Sequence, residues 1–112
     1  MSSYNYRQNR EEIQELLHQY ENLRSGKPHS FLEEEAFEKI IDYFDEKEEL
    51  PKALEASGFA LERYPYSSSL LLTRGDLLIA SKRYKEALRC LQQAELLDTG
   101  DIDLYILKTD AY

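Results

Sequence analysis

The sequence predicts an all-α fold: an α-solenoid of antiparallel helix pairs, about five helices in all, with an N-terminal capping helix. Three observations carry that expectation. Apolar residues recur at three- and four-residue spacing, and no run alternates in the way a half-buried strand requires. Stop signals divide the chain at Gly26 with Pro28, at the acidic run Glu46 to Glu49, at Pro65 and at Gly100. Matching residues also stand 34 positions apart: Ala53 and Ala87, Leu54 and Leu88, Ala60 and Ala94. The same step takes Leu71 to Tyr105 and Leu78 to Tyr112, and a period of this length marks stacked helix pairs.

The elements follow in order. Met1 to about Tyr6 shows no period and is expected to fray. A helix from about Arg7 to Arg24 carries Ile13, Leu16, Leu17, Tyr20 and Leu23 on one stripe, and Glu11, Glu12 and Glu15 favour the positive end of its dipole. It has no counterpart at the repeat spacing, so residues 1–29 are assigned to a cap that covers the open face of the stack. Residues 30–112 hold the repeats, at about 34–67, 68–101 and a partial 102–112.

Ser30 with Glu33 has the Ser-x-x-Glu form of a capping box, predicting a helix from about Phe31 to Lys47 with Phe37, Ile40, Ile41 and Phe44 inward. Leu50 and Pro51 open the next helix, since proline is tolerated in a first turn. That helix reaches about Tyr64 and contains Gly58, which costs about 1 kcal/mol against alanine. Ser67 or Ser68 caps the third repeat-borne helix, which runs to about Ser81. The fourth spans about Tyr84 to Leu97 and carries Tyr84, Ala87, Leu88, Leu91 and Ala94, and a last helix is expected from Ile102.

Composition limits the function. With 42% hydrophobic residues the chain is too apolar for a disordered tail. Its formal net charge of −8 is local, because between Glu33 and Glu62 eleven acids face three bases. Such a surface repels phosphate backbones, so no nucleic acid partner is expected. The N-terminal residues lack the apolar run of a secretory signal, and no stretch approaches the roughly 20 apolar residues that span a bilayer, so no membrane is expected. Cys90 is the single cysteine, which fits a reducing, cytoplasmic setting.

The repeat positions resemble the tetratricopeptide family, whose pattern is W-x2-L-G-x2-Y, then A-x3-F, then P. Leu71, Gly75, Leu78, Ala87, Leu91 and Thr99 take those places in one repeat, and Phe37, Ile41, Phe44, Ala53, Ser57 and Pro65 in the repeat before it. Ile41 for Gly, Ser57 for Phe and Thr99 for Pro depart from the pattern. The third copy supplies Tyr105, Thr109 and Tyr112, which leaves it unfinished and implies the N-terminal part of a longer repeat protein. Ala53 and Ala87 would stand where the helices of one repeat cross, and larger side chains there would overpack at about 1–3 kcal/mol.

The resemblance implies a groove, lined by the first helix of each repeat, that binds a protein or peptide segment. By spacing the lining residues would be Glu35, Glu38, Lys39, Asp42, Asp45 and Glu46, then Ser69, Leu72, Thr73, Asp76, Ile79 and Ala80, then Asp103, Ile106, Leu107 and Asp110. Leu71 and Leu78 already fill the inward places, so Leu72 and Ile79 are left for another use. The groove is acidic with an apolar strip, which suits a basic and apolar partner. Some family members grip a C-terminal carboxylate with cations. Glu38, Asp42, Thr73, Asp103 and Leu107 occupy those places here, so that clamp is missing. The exposed C-terminal helix, with Leu104, Tyr105, Ile106, Leu107 and Tyr112, invites docking of further repeats or homo-oligomerisation.

Signals for chemistry are weak, and no enzyme, metal or cofactor is expected. Glu15 and His18 share a helical face, but di-iron bundles need two such pairs plus further glutamates. Asp98 to Asp103 lacks the full calcium-loop pattern, and Ser25-Gly26-Lys27 lacks the earlier glycine of a phosphate loop. Cys90 has no paired cysteine and is expected on the buried side of its helix, where thiols are inert.

Overall fold

The structure of the protein, a computed structural model, describes the backbone of residues 3–99 and the side chains of residues 9–97. These residues form five helices and no strand: α1 (Ser3–Arg24), α2 (Glu34–Glu46), α3 (Leu50–Arg63), α4 (Ser68–Ala80) and α5 (Tyr84–Thr99). The all-α class is as expected. The chain divides into two compact units, Met1–Ala60 and Leu61–Tyr112.

In the first unit α1 starts at Ser3, four residues before the predicted Arg7. Neither Gly nor Pro separates Ser3 from Arg7, so nothing stops the helix from extending backwards. It ends at Arg24, and Gly26 just beyond it has a φ of 78°, the left-handed conformation that glycine adopts without a side-chain clash. Tyr20 is the buried anchor of α1. Its ring meets Phe44 of α2 at 6.2 Å and Phe59 of α3 at 6.1 Å, both edge-on. Phe37, Ile40, Ile41 and Phe44 of α2 are buried as their spacing predicts. The inward face of α3 is made of small residues, Ala53, Ala56, Ser57 and Ala60. The buried Ser57 hydroxyl donates to the Leu54 carbonyl at 2.7 Å, which satisfies it within its own helix.

The predicted capping box does not form. α2 begins at Glu34 with Glu33 as its N-cap, and no side chain closes the cap. Ser30 instead donates to the Lys27 carbonyl at 2.7 Å, closing the loop that follows α1. Leu32 is buried, so the lead-in to α2 is held by core packing rather than by a first helical turn. Burying a leucine stabilises by about 1.5–3 kcal/mol, which exceeds the roughly 1 kcal/mol of a typical cap.

In the second unit Ser67 caps α4, its hydroxyl oxygen accepting the Leu70 N–H at 3.2 Å. Leu70, Leu71, Gly75, Leu77 and Leu78 are buried on α4, and Ala87 and Ala94 on α5. Two residues assigned to the packing stripe of α5 lie outside it: Tyr84 is 61% exposed and Leu88 56%. The seam is centred on Ala87, and Leu88 lies about 100° further round the helix, beyond a contact narrowed by small residues.

The two helix pairs share their spacing along the chain and the way their first helix ends. α2 and α4 have the same length and start 34 residues apart, as do the first residues of α3 and α5. After α2, the Glu48 N–H donates to the Asp45 carbonyl at 3.0 Å and the Glu49 N–H to the Phe44 carbonyl at 2.9 Å. After α4, the Lys82 N–H donates to the Ile79 carbonyl at 2.9 Å and the Arg83 N–H to the Leu78 carbonyl at 2.8 Å. This is one helix-terminating motif used twice, with Glu48 (φ 58°) and Lys82 (φ 63°) both in the left-handed region.

Candidate partner-binding surfaces

The outer face of α2 carries Glu35, Lys39, Asp42, Asp45 and Glu46 exposed and Glu38 half-buried. Heptad-like spacing puts them there, opposite Phe37, Ile41 and Phe44. Helix α1 changes what this face can do. Lys39 Nζ donates to the carboxylate of Glu12 on α1 and lies 3.9 Å from Glu35. The hydrogen bond to Glu12, with its negative charge and that of Glu35, holds the Lys39 ammonium above its usual range.

Beside that pair lies an open cleft of about 410 Å³ between α1 and α2. Its apolar lining comes from Ile13, Leu16 and the Tyr43 ring, and its polar lining from Asn9, Arg10, Glu12, Lys39, Asp42 and Glu46. Burial first, and then the negative charges of Glu46, Asp45 and Glu38, push the Asp42 carboxyl above its usual range. Three residues expected of a groove, Lys39, Asp42 and Glu46, are thus brought together. The α1 contributors were missed, because Asn9, Arg10, Glu12, Ile13 and Leu16 were assigned only to a cap. The available signal was the apolar pair Ile13 and Leu16 with Glu12 beside it on α1.

A second cavity, of about 600 Å³, is lined by Tyr20, Arg24, Lys52 and Glu55 among others. Its charges are answered internally: Arg24 bonds Glu55 at 3.0 Å and Glu21 at 3.2 Å. Among the described residues the Tyr20 hydroxyl has no hydrogen-bond partner, and burial, then the charge of Glu55, pushes its pKa up to about 12.

On α4, Leu72 is 42% exposed and Ile79 43%, while their chain neighbours Leu71 and Leu78 are 4% and 1% exposed. Ser69, Asp76 and Ala80 are exposed beside them and Thr73 is half-buried. Asp103, Ile106, Leu107 and Asp110 lie outside the described residues.

Among the described residues no three His, Cys, Asp or Glu side chains converge as metal ligands. Glu15 accepts from Gln19 at 3.2 Å. The Ser25 hydroxyl donates to the Glu21 carbonyl at 2.7 Å, so Ser25 to Lys27 belongs to the end of α1. Cys90 is half-buried rather than fully inward, and burial pushes its thiol up. No helix of the described residues is long and apolar enough to cross a membrane. Compared with known proteins, the chain matches no family model, and neither a curated protein nor a solved structure is similar enough to count as a match.

Proposed function

We propose that the chain is a tetratricopeptide-like α-solenoid segment, a non-catalytic module that binds a protein or peptide partner. The duplicated helix-terminating turn and the buried places Phe37, Phe44 and Ala53, then Leu71, Leu78 and Ala87, support the repeat reading. One observation carries the binding reading. Leu72 and Ile79 are the exposed chain neighbours of two buried leucines, and they place apolar surface one helical face away from the core. The acidic outer face of α2 adds a preference for basic partners. The single Cys90 suits a reducing, cytoplasmic setting for such a module.

A photo-crosslinking residue at position 72 or 79 of the full-length protein tests this. The expected result is an adduct to one defined polypeptide that a control site at Lys85 does not give. Equal adducts at all three sites would reject the binding reading.

A second reading rests on Tyr84, Leu88 and Leu97, which are exposed on α5: the chain is a scaffold segment that docks further repeats or a second copy. It predicts that light-scattering mass rises with concentration and that extension by one repeat restores a monomer.

A further inference from the structure

We infer that the cleft between α1 and α2 seats a guanidinium: an arginine of the partner, flanked by apolar residues, enters beside Ile13, Leu16 and Tyr43 and pairs with Asp42 and Glu46. The inference rests on the protein-binding reading and gives the partner's chemistry.

The lining is amphipathic in the way an arginine is. Arginine has an apolar stem and a charged planar head, and it buries the first while the second stays at a polar edge. Ile13, Leu16 and Tyr43 supply apolar surface, and the space of about 410 Å³ admits a long side chain with its neighbour. Asp42 and Glu46 are one helical turn apart on α2, so their carboxylates share a face.

The charge balance favours a cation. Lys39 stands one turn before Asp42, and Glu12 and Glu35 already hold it. Arg10 also lines the cleft, yet its acids, Glu12, Asp42 and Glu46, outnumber its two bases. Among the described residues no ion pair engages Asp42 or Glu46. Glu46, Asp45 and Glu38 act on Asp42 with their negative charge, and a guanidinium would relieve that repulsion.

Arginine suits the site better than lysine or a metal ion. Its planar fork meets carboxylates through paired hydrogen bonds, it is more weakly hydrated, and it stacks on aromatic rings. Tyr43 already holds a cation near its ring, with Lys47 Nζ 5.6 Å from the centroid. A calcium ion takes six to eight oxygen ligands, and two unpaired carboxylates fall well short.

The test is an amide chemical-shift titration of the full chain with acetyl-Leu-Arg-Leu-amide and with its analogue carrying uncharged citrulline. The expected result is shifts confined to residues 9–16 and 39–46, with citrulline binding at least ten-fold more weakly. Asp42→Asn combined with Glu46→Gln should weaken the arginine peptide at least ten-fold, and both positions are exposed, so helix content should hold. Equal binding of the citrulline peptide, or no shift in the cleft, overturns the inference without any mutant. Shifts at residues 69–80 with a silent cleft would overturn it and leave the binding module standing. Cleft shifts without crosslinks at 72 and 79 would uphold the cleft and reject α4 as the partner surface.

Discussion

A β-carbon on Gly75 would stand 2.8 Å from Leu91 Cδ2 and 3.0 Å from Leu91 Cγ, so α4 and α5 meet at a point where a larger residue requires Leu91 to shift. The Ala87 carbonyl is 3.6 Å from the same position, and the Ala87 side chain is buried beside it. The helices of this pair therefore approach through Gly75 and two residues of α5.

Gly75→Ala sets two effects against each other. Alanine gains about 1 kcal/mol of helix propensity, while overpacking costs about 1–3 kcal/mol. Leu91 can give way only in part, because Cγ is close as well as Cδ2. The expected result is a net loss of up to about 2 kcal/mol in urea unfolding. In a Leu91→Ala background the same change should become stabilising by up to about 1 kcal/mol. Additive effects in the double-mutant cycle would refute the contact.

Leu71 and Leu72 are adjacent in sequence and opposite in consequence. Leu71→Ala or Leu78→Ala should cost about 2–5 kcal/mol, as cavities in the core do. Leu72→Asn and Ile79→Asn should each stay within about 1 kcal/mol of the parent, because both residues are exposed and neither is part of the core. Thermal unfolding of the four variants checks the contrast.

The duplicated turn makes a paired prediction. Glu48 and Lys82 are exposed and adopt a conformation that costs an L-residue about 1 kcal/mol, which glycine escapes. Glu48→Gly and Lys82→Gly should each stabilise by about 0.5–1 kcal/mol, despite the entropy that glycine adds to the unfolded chain. Glycine at Arg89, exposed in the interior of α5, should instead destabilise by about 1 kcal/mol.

Ser67, rather than Ser68, caps α4. Ser67→Ala should cost about 1 kcal/mol and Ser68→Ala only a few tenths. Ser30→Ala, at the capping box that does not form, should leave the helix content of circular dichroism unchanged.

Tyr20 supplies the pH dependence. Its phenol is neutral in the fold and titrates at about 12 against an ordinary 10. The proton is held more tightly by the folded state, so the stabilisation is complete below pH 10 and is lost as pH rises towards 12. Tyr20→Phe keeps the ring contacts to Phe44 and Phe59, removes an unpartnered hydroxyl, and should be neutral or stabilising by about 1 kcal/mol at pH 7. The parent-minus-variant tyrosinate absorbance should rise about two pH units later than that of free tyrosine.

Local patterns and tertiary contacts divided the determination of this protein. The all-α class, the inward stripe of α2, the starts of α3 and α5, and the outward place of Leu72 and Ile79 were legible from period and breakers. Each depends on side-chain direction along a helix, which is set within one or two turns. The start of α2 was not legible, because a Ser-x-x-Glu pattern is indifferent to whether Leu32 finds a core to enter. The left-handed turns at Glu48 and Lys82 carried no glycine to announce them. The cleft was half legible: α2 displayed Lys39, Asp42 and Glu46, but tertiary contacts, among them Tyr20 with Phe44 and Phe59 and Lys39 with Glu12, bring Ile13 and Leu16 alongside. Which residues of a second helix complete a site depends on its axial position and rotation, and those are decided by contacts distant in sequence.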